Sequence, residues 1–139
     1  MREIKFRGKR YGDGYWVYGS LYQGTKEGEK YSIILNDSGY HLAPPDDRNL
    51  AIAFAENEVN VVIPDTIGQF TGLHDKNGKE IYFDDIVRNK YGDIGCVIWF
   101  SDWSLRVDWG GGDIHFIEPE WGLEVIGNIH DNPELLEGV

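Results

Sequence analysis

Residues 63–87 read IPDTIGQFTGLHDKNGKEIYFDDIV, and this stretch decides the fold class. Two short apolar runs flank Asp75-Lys76-Asn77-Gly78. Asn and Gly tolerate the positive φ that a tight β-turn demands, so the chain is expected to reverse at Asn77-Gly78 and pair the flanking runs as a hairpin. Residues 59–64 and 67–73 read as strands interrupted by Pro64, and 80–82 and 84–89 continue the pattern beyond the turn.

Outward from the hairpin the β signal persists. Residues 94–100 are a short apolar run suited to a buried strand. Ser101-Asp102 turns the chain into 103–109, where Trp103, Leu105, Val107 and Trp109 alternate with Ser104, Arg106 and Asp108. Such alternation buries one face and wets the other. Gly110-Gly111-Gly112-Asp113 is a flexible turn into a strand at 114–117, and 121–129 make the last strand. Pro133-Glu134-Leu135-Leu136-Glu137 is expected to be a short helical turn, with Asp131 or Asn132 as N-cap.

Toward the N-terminus, residues 4–7 alternate, Tyr11-Gly12-Asp13-Gly14-Tyr15 supplies a turn, and 16–22 form an aromatic-rich strand. Residues 24–30 read as a loop and 31–35 as a strand. Residues 36–57 are the least regular part, because Pro44-Pro45-Asp46-Asp47 forbids regular pairing, and 50–55 fit either a helical turn or an extended segment. A variable loop of this length inside a compact domain is usually functional or mobile.

At 139 residues the chain has a common single-domain size, enough to bury roughly two-thirds of its unfolded surface. The apolar share of 41% and aromatic share of 14% belong to a folded protein. No apolar stretch approaches the ~18 residues that cross a bilayer, and no apolar segment of signal-peptide type follows the basic start. A lone Cys96 forms no internal disulfide, which points to the cytoplasm. Net charge is −11 and unevenly spread. Residues 1–10 carry five basic groups against Glu3, whereas residues 91–139 carry Arg106 against ten carboxylates, a balance of −9. Binding to nucleic acid needs Lys and Arg against the phosphates, so most of this chain would repel it. The basic first ten residues read as a β-strand with solvated alternate side chains.

Four pieces of the sequence together resemble one family. They are Arg2-Glu3-Ile4-Lys5-Phe6-Arg7-Gly8-Lys9, Trp16-Val17-Tyr18-Gly19-Ser20-Leu21, the stretch from Pro64 through Val87, and Ile126-Gly127-Asn128-Ile129-His130-Asp131-Asn132-Pro133-Glu134-Leu135-Leu136. In that order they are similar to the YopX family of bacteriophages and prophages. The resemblance implies a mostly β fold with minor helix, a phage or prophage origin and self-association, and it supplies no catalytic residue. One departure stands out: Phe83-Asp84 occupies the place where a Glu-Gly type turn is expected before Asp85-Ile86-Val87.

Candidate chemistry is sparse. Asp75, Asn77 and Gly78 share part of a calcium loop, but such a loop needs an oxygen ligand at 79 and Gly at 80, where Lys79 and Glu80 stand. Asp84-Asp85 are adjacent, so in a strand they face opposite sides and fit a turn better than a metal site. His41, His74, His115 and His130 lack zinc-like spacing, and His115 and Glu118 fall on opposite faces. Ser20 lacks the nucleophile elbow, and no phosphate loop or dinucleotide fingerprint occurs. The five tryptophans are expected mainly in the core, with Trp103 and Trp109 on one face and Trp121 the best exposed.

The reading is a mainly β chain with minor helix (α+β), one domain over 1–139, its short antiparallel strands forming a small, strongly bent barrel or meander, barrel-like over about 63–130. Its expected role is that of a non-enzymatic interaction module with a host or phage protein partner, able to form homo-oligomers through exposed strand edges. No cofactor, metal site, membrane or nucleic-acid partner is expected. The expected contact surface is Trp121, Glu118, Glu120 and Glu124. Alternatives are a nucleic-acid-binding small barrel, an acidic mimic of nucleic acid, and, behind both, a metal-dependent hydrolase.

Overall fold

The computed structural model describes residues 4–36, 59–101 and 104–137. Of the variable loop expected at 36–57, Asn36 ends a strand and residues 37–57, His41 among them, lie outside the described residues, as does Trp103, expected to share a face with Trp109. The chain forms two compact units, with the break after Gln69.

In the first unit, β1 (Phe6–Lys9), β2 (Trp16–Lys26), β3 (Glu29–Asn36), β4 (Val59–Val61) and the first residues of β5 (Gly68–His74) make an antiparallel sheet in the order β4-β3-β2-β1-β5. β2 and β3 pair without a break from Gly19↔Asn36 to Lys26↔Glu29. The loop expected at 24–30 is therefore a two-residue turn. Glu27 and Gly28 both have positive φ, 52° and 81°, which matches the right-handed twist of a hairpin. Glutamate rarely takes that conformation, so the turn left little trace in the sequence.

Ile33, Ile34, Leu35 and Val62 are buried in this unit, Ile33 and Leu35 packing with Tyr22 and Tyr31, and Ile34 and Val62 meeting at Gly8. Gly8 lets the strands close here, because a Cβ at that position would lie 3.1 Å from Val62 Cβ and 3.2 Å from Ile34 Cδ1. Pro64–Thr66 form a 3₁₀ turn that Thr66 ties to β1 by accepting a hydrogen bond from Lys9 N at 2.9 Å. The expectation that the basic residues of β1 are solvated fails at Arg7, which is buried. Its guanidinium lies 4.7 Å from the Trp16 ring centroid, where the π-face attracts the charge and the stem packs on the sheet.

In the second unit the rest of β5 pairs with β6 (Glu80–Tyr82), through Phe70↔Tyr82 and His74↔Glu80 with an irregularity between. A five-stranded antiparallel sheet follows in the order β10-β9-β8-β7-β11. Its strands are β7 (Asp85–Arg88), β8 (Ile94–Trp99), β9 (Leu105–Asp108), β10 (Ile114–Phe116) and β11 (Glu124–Asn128). Val87, Val97 and Val107, one from each central strand, meet Ile81, Phe83 and Leu123 in one buried cluster. The alternation read in β9 is seen directly, with Val107 buried between half-exposed Arg106 and Asp108.

Two expectations are corrected. The described residues contain no closed barrel: the five-stranded sheet ends at β10, three residues long, and at β11, whose register breaks between Val125 and Gly127. Closure requires two edges with matching length and stagger, and these do not match. The expected minor helix is absent from the described residues as well. Pro64–Thr66, Pro119–Trp121 and Pro133–Leu136 are 3₁₀ turns of three or four residues, too short for an α-helical ladder. Asn132 stands at the N-cap position of the last turn but makes no side-chain cap. Its Oδ1 instead accepts from Asn128 N at 3.3 Å.

Candidate functional site

Two hairpin turns of the second unit share one construction. In Asp75-Lys76-Asn77-Gly78-Lys79, Gly78 N donates to Asp75 O at 3.0 Å and Asp75 N to Lys79 O at 2.8 Å. The Asp75 side chain closes the turn, its Oδ1 accepting from Asn77 N and Lys79 N at 2.8 and 2.9 Å. Asn89-Lys90-Tyr91-Gly92-Asp93 repeats the pattern. Gly92 N donates to Asn89 O at 3.1 Å, Asn89 N to Asp93 O at 3.0 Å, and Asn89 Oδ1 accepts from Tyr91 N and Asp93 N, each at 2.9 Å. In each turn only the glycine takes positive φ, 84° at Gly78 and 91° at Gly92. Asn77, expected to share that conformation, does not. This is a three-residue hairpin loop with a left-handed glycine, built on a short polar side chain at its first position.

The two turns hold a third segment. Lys90 N donates to Trp121 O at 2.8 Å and Lys76 N to Leu123 O at 2.9 Å. Gly122 between them is left-handed, at φ 60° and ψ 49°. Asp75 adds a further bond, its Oδ2 accepting from Val125 N at 3.0 Å. Burial works to raise the pKa of Asp75, but the amides of Val125, Lys79 and Asn77 outweigh it and hold the carboxyl below its ordinary value. The position of Trp121 is thus fixed at its own carbonyl.

Trp121 faces Trp109 edge-on, ring centroids 5.4 Å apart at 76°. Trp109 lies over Gly95 on β8, where a Cβ would meet its Cε3 at 2.8 Å, Asp108 O at 2.8 Å and Val107 Cγ1 at 2.7 Å. Together the two indoles wall an open cleft of about 550 Å³. Tyr91, 72% exposed, and Ile94 extend the apolar wall. Asp93, Asp113, Asn89 and His115 supply the polar side. His115 Nε2 and Asp113 Oδ1 are 2.5 Å apart.

Trp121, expected to be exposed, is half-buried and packs against the core cluster as one wall of this cleft. A large aromatic following Pro119 in a 3₁₀ turn is folded back onto the sheet rather than offered outward. Glu118 and Glu120 are exposed. Glu118 lines a second, smaller hollow of about 330 Å³ with Leu73, His74, Ile117 and Leu123. Glu124 lies on β11, 2.7 Å from Arg88 Nη2 and 3.4 Å from Lys76 Nζ, and the hydrogen bond from Arg88 leads in lowering its pKa. The structure therefore distributes these four residues instead of gathering them around one hollow. Sequence reasoning missed Asp93, Asp113 and Tyr91, and weighed His115 only to set it aside. The signals were present: Asn-Lys-Tyr-Gly-Asp repeats the Asp-Lys-Asn-Gly-Lys pattern, and Asp113 and His115, two apart, sit at the spacing that shares a strand face.

The remaining polar groups are used locally. Asp84 is left-handed at φ 74°, at the position where the family turn was expected to carry glycine, and it sits 3.3 Å from His130 Nε2. Asp85 is buried and accepts from Tyr82 N at 2.8 Å. Burial, reinforced by Asp84, Asp108 and Asp85, pushes the Cys96 thiol up to about 12. Among the described residues no group of three or more His, Cys, Asp or Glu side chains is arranged to hold a metal ion, and no helix is long and apolar enough to cross a membrane.

The chain matches the YopX protein family over residues 5–137. It is also similar to the crystal structure of protein EF1440 from Enterococcus faecalis, at 24% identity and a TM-score of 0.51, over 99% of this chain and 100% of that one. This likeness bears on the fold alone. No curated protein matches the chain.

Proposed function

The chain belongs to the YopX family, and from that premise we propose that it is a phage or prophage accessory protein acting in the cytoplasm of a bacterial host as a non-enzymatic protein-interaction module. The observation that carries this reading is the cleft walled by Trp109 and Trp121. Aromatic side chains held rigid at an open surface are the groups that anchor partners, because they bury large area at little entropic cost. A chain of net charge −11 directs such a surface toward a basic partner and away from nucleic acid.

The test is a tagged pull-down from nuclease-treated host lysate, read by mass spectrometry against an untagged control. One protein retained at a fixed ratio to the bait is the expected result. Retention of nothing beyond the control would defeat the reading.

Two finer forms of the reading have their own support. The five-stranded sheet leaves β10 and β11 as edges, which favours self-association. Light scattering that gives a monomer across a wide concentration range would remove that form. The balance of −9 over residues 91–139 favours mimicry of a phosphate backbone toward a nucleic-acid-binding protein. In that form the captured partner is released by competing DNA or RNA, and a partner indifferent to both would exclude it.

A further inference from the structure

The geometry points to the Trp109–Trp121 cleft as a receptor for a cationic side chain, an arginine or lysine presented by a basic protein segment. This rests on the interaction reading above and names the chemistry of its contact. The two indoles and the Tyr91 ring offer π-faces and edges, and a π-face attracts a cation. Asp93 and Asp113 stand on the same cleft and supply two carboxylates. Aromatic wall and carboxylate rim together select a positive group, since the wall favours its charge and the rim neutralises it. An anionic ligand would be repelled by both carboxylates, Asp113 beside His115 and Asp93 beside the Asn89 amide.

The chain already satisfies its own cations in this way. Arg106 lies 4.3 Å from the Phe100 centroid and 4.1 Å from that of Phe116, and Lys90 Nζ lies 5.2 Å from that of Tyr91. Lys90 is the cation beside Tyr91, and Asp113 lies beside Trp109, whose backbone N–H donates to Asp113 O at 2.8 Å, so an incoming charge is favoured against Trp109. A cleft of about 550 Å³ falls within the range of sites that enclose small groups, and it accepts a long side chain with part of its backbone. Both walls are fixed before any ligand arrives, Trp109 by its seat on Gly95 and Trp121 by the amide of Lys90. Such preorganisation removes part of the entropic cost of binding.

The experiment is an NMR titration of the full chain, following the indole N–H signals of all five tryptophans. The probe is a blocked Gly-Arg-Arg-Gly peptide, and its comparator is the same peptide with citrulline, which keeps the shape and removes the charge. Saturable shifts of the Trp109 and Trp121 signals with the arginine peptide alone are expected. The double substitution Asp93→Asn and Asp113→Asn is expected to weaken binding about tenfold or more. These replacements are isosteric and lie in exposed turns, so the folded spectrum is retained; Trp121→Ala is the second variant, expected to abolish the shifts. Equal response to the citrulline peptide, equal response to a neutral sugar, or silent indoles would each overturn the inference. Silent indoles with a partner still captured overturn the cleft and leave the interaction reading standing. Shifted indoles with no partner captured uphold the cleft chemistry and overturn that reading.

Discussion

Replacing Asp75 with alanine tests the turn that steadies the cleft. The side chain accepts three backbone amides: Asn77 and Lys79 within the turn, and Val125 on β11. The first two belong to exposed residues, so water replaces the carboxylate there and the loss is about 0.5 kcal/mol each. Val125 N is half-buried, and leaving it unsatisfied costs about 2 kcal/mol. The sum is about 3 kcal/mol, which for a chain of this size lowers Tm by roughly 10 °C. Asp75→Asn keeps an acceptor for the turn but points an amide donor at Val125 N, so an intermediate loss of about 1.5 kcal/mol is expected. Urea unfolding followed by tryptophan fluorescence measures both.

The pH dependence supplies the sign. The carboxyl is held below its ordinary value in the folded state. Its contribution is therefore full above about pH 4 and is lost as pH falls through the lowered value. The gap between wild type and Asp75→Ala must narrow as pH drops from about 4 toward 2. An Asp75→Ala protein within about 0.5 kcal/mol of wild type at neutral pH, or a gap unchanged at acid pH, would refute the assigned role of these bonds.

Gly95→Ala is expected to destabilise by roughly 2 kcal/mol and to shift the Trp109 indole signal, because the new methyl meets a carbonyl and an indole at once; a variant as stable as wild type with Trp109 unmoved would contradict that packing. At Asp84, whose φ is 74°, glycine is expected to be tolerated or mildly stabilising, while valine costs about 2 kcal/mol. Equal Tm values for Asp84→Gly and Asp84→Val would show that the left-handed backbone imposes nothing there. Native Cys96, with its thiol pushed up to about 12, is expected to react with a disulfide reagent at neutral pH far more slowly than in urea. Equal rates in the two conditions would place the thiol at an ordinary pKa.

Much of the second unit was legible because its signals are local. Asp75-Lys76-Asn77-Gly78 announces its hairpin, and the alternation around Val107 announces a half-buried strand. What escaped was of two kinds. Some was local but cast in uncommon residues, as where Glu27 takes a conformation usually left to glycine or asparagine. The rest depended on partners far along the chain. Whether Trp121 is exposed is settled by Lys90 N and Trp109, and whether a sheet closes is settled by edges that no single strand encodes. The cleft belongs to this second kind. Its walls come from separate stretches of sequence, and of its lining residues the tryptophans and His115 alone drew attention on their own.

The paired turns divide labour within five residues. The first and fourth positions, Asp75 and Gly78 or Asn89 and Gly92, set the backbone path. The second position contributes its amide to the held segment, and the third contributes its amide to the turn. The side chains of Asn77, Lys90 and Tyr91 are exposed and spare to the frame, while Lys76 Nζ lies 3.4 Å from Glu124 on β11. Residue 91 borders the cleft, so its identity is an adjustable dial on a fixed mount. Exchange of that side chain would alter the chemistry of the cleft mouth while every bond that holds Trp121 in place stays intact.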